Sequence, residues 1–227
     1  MKNKLYIISL GGSIINSGVI DAKFLKGFKS LITAQTKKGS KFIIIAGGGA
    51  ICRQYQNALK AIAKPTESDL DWMGIYATRF NAELVRLMFR EQTGNEIILD
   101  PTKRQSFTKN ILVGGGWKPG RSSDGPMVKM AATFGASIVI NLSNIDYVYT
   151  KDPRKFKNAK PLTNMSWKEF RKLVGDKWVP GKHAPFDPTA AKLAEQLKLK
   201  VIIANGKNLK NLENILDGKK FIGTEIK

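Results

Sequence analysis

The first residues in this chain with chemistry to offer are three glycine clusters, each at the end of a short apolar run. Leu10 leads into Gly11-Gly12-Ser13, Ala46 into Gly47-Gly48-Gly49, and Val113 into Gly114-Gly115-Gly116. Glycine after a strand lets backbone N–H groups approach phosphate oxygens with no Cβ in the way, and a following helix N-terminus adds a favourable dipole. One such turn is ordinary. Three point to a phosphate-bearing ligand lying across the carboxyl ends of a parallel sheet. The clusters are not a P-loop, since no GxxxxGK[ST] occurs, nor a dinucleotide fingerprint, since no GxGxxG follows the first strand. Protein-kinase motifs are absent as well.

Strands must carry these turns. Lys4 to Leu10 and Lys41 to Ala46 read as strands, with others at Glu96 to Leu99, Asn110 to Val113, Ser137 to Leu142 and Val201 to Ala204, and a last edge strand at Phe221 to Ile226. Helical spacing covers Asp21 to Lys38, where Phe24, Leu25, Phe28, Leu31 and Ile32 recur on one side. Further helices are predicted from Gly49 to about Ala63, and over Ser68 to Gln92, Ser123 to Phe134, Asp187 to Leu197 and Leu209 to Leu216. Lys151 to Lys160 reads as a basic, proline-containing loop. Strands alternating with helices predict an α/β chain with a mainly parallel sheet covered on both faces.

Composition narrows the classes. Hydrophobic residues make up 42% and charged residues 25% of the 227, which argues against disorder. No apolar run approaches the roughly 18 to 20 residues of a membrane span. One cysteine, Cys52, excludes an internal disulfide framework and fits a reducing compartment. With His183 as the one histidine, a His/Cys zinc site is not expected. A cytoplasmic protein is the expectation. The net charge of +20 attracts polyanions of every kind, so nucleic-acid binding is expected only as a non-specific effect of that charge.

In chain order, GGS after the first strand, GGGAICR after the second, DWMGIYATRFNA, GGWKPGRSSD, NLSNIDYVYTKDP and FDPTAAK together resemble the amino acid kinase superfamily. More narrowly they resemble its archaeal-type uridylate (UMP) kinases, over about residues 5 to 226. The resemblance implies a three-layer α/β/α sandwich, phosphorylation of UMP by ATP with Mg²⁺, and assembly as a homohexamer. It implies one domain over 1–227, with about 1–123 as the UMP-binding lobe and about 124–227 as the ATP-binding lobe. The metal is expected to arrive on ATP, with no direct protein ligands.

Residue by residue, Gly11, Gly12 and Ser13 match the first glycine turn on the ATP side, against the transferring phosphate, with Gly12 among the catalytic groups. Gly48 matches a contact to the UMP phosphate, while Gly49 and Arg53 match ATP-side contacts. Asp71 matches the carboxylate that accepts hydrogen bonds from the UMP ribose; an acid near a helix start also simply favours the dipole. Trp117, Lys118, Pro119, Gly120, Arg121, Ser122 and Ser123 match the segment that holds uracil and its phosphate. Asp124 matches an aspartate that organises the basic groups of the site, and doubles as an ordinary helix N-terminal acid. Ser143, Tyr149 and Asp152 match the ATP-binding positions of the N-x-D-G-V-Y-x-x-D-P pattern. Lys192 is the candidate catalytic cation, since phosphoryl transfer needs charge neutralised on the equatorial oxygens.

The chain also departs from the pattern. Ser9 stands where many superfamily members carry lysine, and Tyr147 where glycine is usual. Trp117, Lys118 and Arg121 make the acceptor loop bulkier and more basic. An isopentenyl phosphate kinase would be expected to carry a histidine near Ala50 to Arg53, and an acetylglutamate or aspartate kinase a lysine at Ser9; neither is present. A catalytically weak polyanion-binding or regulatory module is the rival from another class. His183 reads as a loop residue, Cys52 as a packed side chain, and Trp72, Trp167 and Trp178 as packing or interface residues.

Overall fold

The computed structural model describes residues 4–94, 96–120, 122, 124–176 and 184–227. The elements run β1 (Leu5–Leu10), α1 (Gly12–Ile15), α2 (Ala22–Lys37), β2 (Lys41–Ala46), α3 (Gly49–Ile62), α4 (Glu67–Met88), β3 (Ile111–Gly114), α5 (Asp124–Phe134) and β4 (Ile138–Ser143). They continue with β5 (Val148–Tyr149), β6 (Pro161–Leu162), β7 (Asn164–Met165), α6 (Trp167–Val174), α7 (Pro188–Gln196), β8 (Lys200–Asn205), α8 (Leu209–Leu216) and β9 (Thr224–Ile226). The main sheet has the order β3-β2-β1-β4-β8-β9-β7, and β5 pairs with β6 apart from it. From β3 to β8 all pairs are parallel; β9 pairs antiparallel with β8, and β7 pairs parallel with β9.

Alternation along each strand divides the core in two. Ile7, Ile43, Leu112, Val139 and Val201 face α5, α6 and α7 through Met127, Met130, Phe134, Phe170 and Ala194. Ile8, Ile44, Ile111, Val113 and Ile140 face the opposite layer, built from Phe24, Phe28 and Ile32 of α2, Ala82 and Val85 of α4, and Leu212 of α8. Strands buried on both faces need apolar side chains at every position, hence near-continuous runs such as Phe42-Ile43-Ile44-Ile45. Helix α3 stands outside this arrangement. Only Ala50 is buried on it, and it packs on α4 rather than on the sheet.

Three expectations change. Glu96 to Leu99 forms no strand: Ile98 makes a single parallel bridge to Gly114, and Pro101 opens a turn directly after it. The last strand is shorter than expected and is internal, lying between β8 and β7, because Asn164–Met165 adds the true edge beside it. Helix α6 was not foreseen, although Trp167, Phe170 and Val174 share its buried face and Ser166 and Glu169 form a capping box.

The first two glycine turns are adjacent because β1 and β2 are adjacent, and their backbones interlock. A Cβ on Gly12 would lie 2.0 Å from the Gly49 nitrogen, and one on Gly47 would lie 2.4 Å from the Gly12 nitrogen. Gly49 also has φ +67, and a Cβ there would meet the Gly12 carbonyl oxygen at 2.4 Å. Gly49→Ala is therefore expected to destabilise the fold by roughly 2–4 kcal/mol, left-handed strain and overpacking combined. Gly125→Ala, with open space around it, should change stability by less than about 1 kcal/mol. Urea unfolding of the two variants checks the contrast.

Candidate active site

The site grows from the carboxyl ends of β1 and β2. Gly11 donates to the Leu142 carbonyl (3.0 Å) and Gly47 to that of Leu10 (3.0 Å), which fixes both turns to the sheet. Asn16, at the end of α1, donates to the Gly12 carbonyl and accepts from Ala50, tying the first turn to the start of α3. The amides of Gly12, Ser13, Gly48 and Gly49 donate to no described residue. They are free for an anion. Ser9 is buried within β1, so no cation reaches these turns from that position.

Asn81, on α4 and 2% exposed, donates to the carbonyls of Gly47 (2.7 Å) and Gly48 (3.1 Å). This residue escaped the sequence reading; its one signal was an amide on the otherwise apolar face shared with Ala82 and Val85. Thr78 and Arg79 escaped it too. The Gly116 amide donates to Thr78 Oγ1 (2.7 Å), while Arg79 donates to the carbonyls of Gly116 (3.0 Å) and Trp117 (3.1 Å). The third glycine cluster therefore differs from the expectation of a phosphate turn. The Gly115 and Gly116 amides are taken by Ile98 and Thr78, and a Cβ on either would lie 3.1 Å from a Cα of α4. These glycines let the acceptor loop lie close on a helix.

A cavity of about 300 Å³ opens between the second turn, α4 and this loop. It brings together Gly48, Asp71, Trp117, Lys118 and Ser122 of the expected UMP set with Gly49 and Arg53 of the expected ATP set. Pro119 and Gly120 continue the loop, where Gly120 (φ +73) donates its amide to Asp71 Oδ2 at 2.6 Å. Asp71 thus anchors the loop while leaving a second carboxylate oxygen for a hydroxyl ligand. Cys52 lines the same cavity, packed against Gly48 and Gly74, and burial pushes its thiol up, so it is a neutral packing group. Arg121, Ser123, Trp178 and His183 lie outside the described residues.

The remaining candidates sit elsewhere. Ser143 ends β4, with its hydroxyl accepting from the Ile145 amide (3.4 Å). Tyr149, in β5, meets Tyr147 edge-on at 6.2 Å. Asp152 is held by Arg154 in an exposed turn, a pairing that lowers its carboxyl. Lys192 is exposed on α7 and lines neither this cavity nor the one beside it. Its charge is felt by Asp176, a carboxyl held low first by Arg171 and then by Lys192. Among the described residues no group of three His, Cys, Asp or Glu side chains could hold a metal ion.

Asp124 opens α5 and its Oδ2 accepts from the Asp187 amide at 2.8 Å. Asp187 in turn caps α7 through Ala190 (2.8 Å). Burial, with the Asp187 charge adding to it, raises the Asp124 carboxyl to about 7. An acid raised in the folded state costs nothing below its unfolded value near 4 and progressively more as pH climbs to 7. Asp124→Asn keeps the acceptor oxygen and removes the titration. Wild type should therefore lose stability relative to this variant between pH 4 and pH 7, by at most about 4 kcal/mol, because the residue keeps some solvent contact. Thermal unfolding across that range measures the difference.

Residues 4–205 match the model of the amino acid kinase family. A uridylate kinase of Thermoplasma volcanium is 32% identical, with 99% of this chain and 98% of that protein aligned. One of Methanospirillum hungatei is 31% identical over 97% of this chain and 93% of its own length. Among solved structures, the crystal structure of uridylate kinase from Archaeoglobus fulgidus superposes with a TM-score of 0.85 at 26% identity, covering 98% of this chain and 99% of that one. The match spans both glycine turns, the acceptor loop and the parallel sheet that carries them, and on that ground the chain belongs to the amino acid kinase family.

Proposed function

We propose that this chain is a uridylate kinase, which moves the γ-phosphoryl group of ATP onto the phosphate of UMP to give UDP and ADP. One observation carries the reading: a single cavity at the strand ends gathers free glycine amides, two cations and one carboxylate with an open oxygen. The amides and the cations Arg53 and Lys118 suit phosphates, and Asp71 suits the ribose hydroxyls. A phosphate oxygen of UMP attacks the γ-phosphorus in line, the bond to the β,γ-bridging oxygen breaks, and ADP leaves with that electron pair. The nucleophile is already an anion and needs no base. Alignment and charge neutralisation are the catalytic work. Mg²⁺ enters as part of the MgATP substrate, held by its phosphates.

We assign about 1–123 to UMP and about 124–227 to ATP, a division that falls at the β1–β4 junction of the sheet. Ser143, Tyr149 and Asp152 then belong to the nucleotide side, following the carboxyl end of β4. Lys192 is proposed as the cation that neutralises the transferring group; it stands outside both cavities, on a helix whose start is tied to Asp124, and its role rests on its place in the FDPTAAK motif. The proposed location is the cytoplasm; no helix among the described residues is long and apolar enough to cross a membrane.

A homohexamer is proposed as the working assembly. Its support is a stripe on α4, where Trp72, Tyr76, Phe80, Leu84 and Leu87 are exposed at helical spacing. For a chain of net charge +20, a second copy must bury apolar area to overcome self-repulsion, and this uncharged stripe offers it.

ADP release with MgATP should occur with UMP and not with isopentenyl phosphate; silence with UMP overturns the assignment. Asp71→Asn is expected to raise KM for UMP about tenfold with a smaller change in kcat, as lost acceptor binding would. Lys192→Ala should instead lower kcat about 100-fold at nearly constant KM. Unchanged kcat in that variant would transfer the charge work to Arg53 and Lys118. Phe80→Asp should convert the oligomer to smaller species, read by sedimentation velocity.

A further inference from the structure

We propose that Trp117 sets the size of the acceptor base, its indole being the partition that keeps purine monophosphates out. The inference rests on the reading of the 300 Å³ cavity as the acceptor site. Beside that cavity lies a second one of about 220 Å³, between the acceptor loop, α5 and α7. Trp117, Ser122 and Pro126 line both. Pro126 is locked into α5 and Ser122 carries a single heavy atom beyond Cβ, so among the described residues the indole is the one large side chain that the two cavities share.

The indole is held as a wall should be. The ammonium of Lys118 lies 4.1 Å from its ring centre and that of Lys129 lies 5.7 Å away, two cation–π contacts. Arg79 fixes the residue's own carbonyl. Space behind the wall has the chemistry of a base site. Ala190 and Leu193 give it apolar walls, and Lys129, Thr189 and Asp187, whose Oδ1 is spent on the Ala190 amide, give it polar groups. A pyrimidine stops at the indole, while a purine needs the room beyond. Shortening the side chain joins the two spaces, and the Lys129 ammonium, released from the ring, faces them. Guanine presents two adjacent acceptors, O6 and N7, to such a donor, whereas adenine presents N7 beside an N6 donor, so GMP should gain more than AMP.

The test measures kcat/KM for UMP, CMP, GMP and AMP with wild type, Trp117→Ala and Trp117→Phe, with thermal unfolding of each as a check on folding. The expected result is a GMP-to-UMP ratio at least tenfold higher in Trp117→Ala than in wild type, with a smaller rise in Trp117→Phe and a smaller rise for AMP. An unchanged or lower ratio in a folded variant overturns the proposal while leaving the kinase assignment intact. Loss of all acceptors in both variants also overturns it, because the indole would then be needed for binding any base. Should Trp117→Ala fail to fold, the ratio in Trp117→Phe decides in the same way. Wild type that turns over no UMP is the separate result that sinks the underlying reading.

Discussion

Two glycine turns meet backbone against backbone at the carboxyl ends of β1 and β2, and the rest of the site is arranged around that contact. The approach is closer than any side chain permits: a methyl group on Gly12 would fall almost on the Gly49 nitrogen. Two parallel strands at normal spacing bring their following turns together whether or not those turns fit. Only with glycine on both sides do they mesh, and the amides of Gly12, Ser13, Gly48 and Gly49 have no partner among the described residues. The same glycines whose amides stay unpaired among the described residues are thus required for the strands to pair as they do.

Helix α4 relays this geometry to the acceptor loop. Asn81 holds the carbonyls of the second glycine turn, while Thr78 and Arg79, one turn earlier, hold the backbone of Gly116 and Trp117. Asp71, further toward the start of the same helix, holds Gly120. A rigid helix with four polar side chains spent on loop backbone sets the width of the 300 Å³ cavity. On the far side, Asp124 and Asp187 join the starts of α5 and α7 in one hydrogen-bonded chain. A half-buried carboxyl that prefers its proton near neutrality stands at that joint. The cost of ionising it is a price in stability accepted for fixing two helix starts beside the site.

The surplus of positive charge has little to do with holding the fold. Lys38 with Asp217 and Arg154 with Asp152 are ion pairs with one partner well exposed to water, where such pairs contribute about 1 kcal/mol or less. Stability comes from the two apolar layers on either side of the sheet. The charge instead sets the field that an anionic substrate meets, and Arg53 and Lys118 bring part of it into the cavity itself.

Strand and helix positions for β1, β2, β4, β8, α2, α5, α7 and α8 were legible in the chain, because periodicity, caps such as Asp21 and Asp187, and terminating glycines act between residues a few positions apart. The positions of the glycine turns at strand ends were legible for the same reason, and motif order pointed to Gly48, Asp71, Trp117 and Ser122, which line one cavity. Tertiary structure alone decided that the third glycine cluster serves helix packing, since its amides go to Thr78 and Ile98 and nothing local distinguishes it from the other two. It also decided that β9 is internal, that Asn81 and Arg79 belong to the site, and that Trp117 stands between two cavities. Each of these depends on contacts between residues far apart in sequence. Their partners are chosen by strand register and by the packing of helices on a completed sheet, quantities that no short stretch of chain contains.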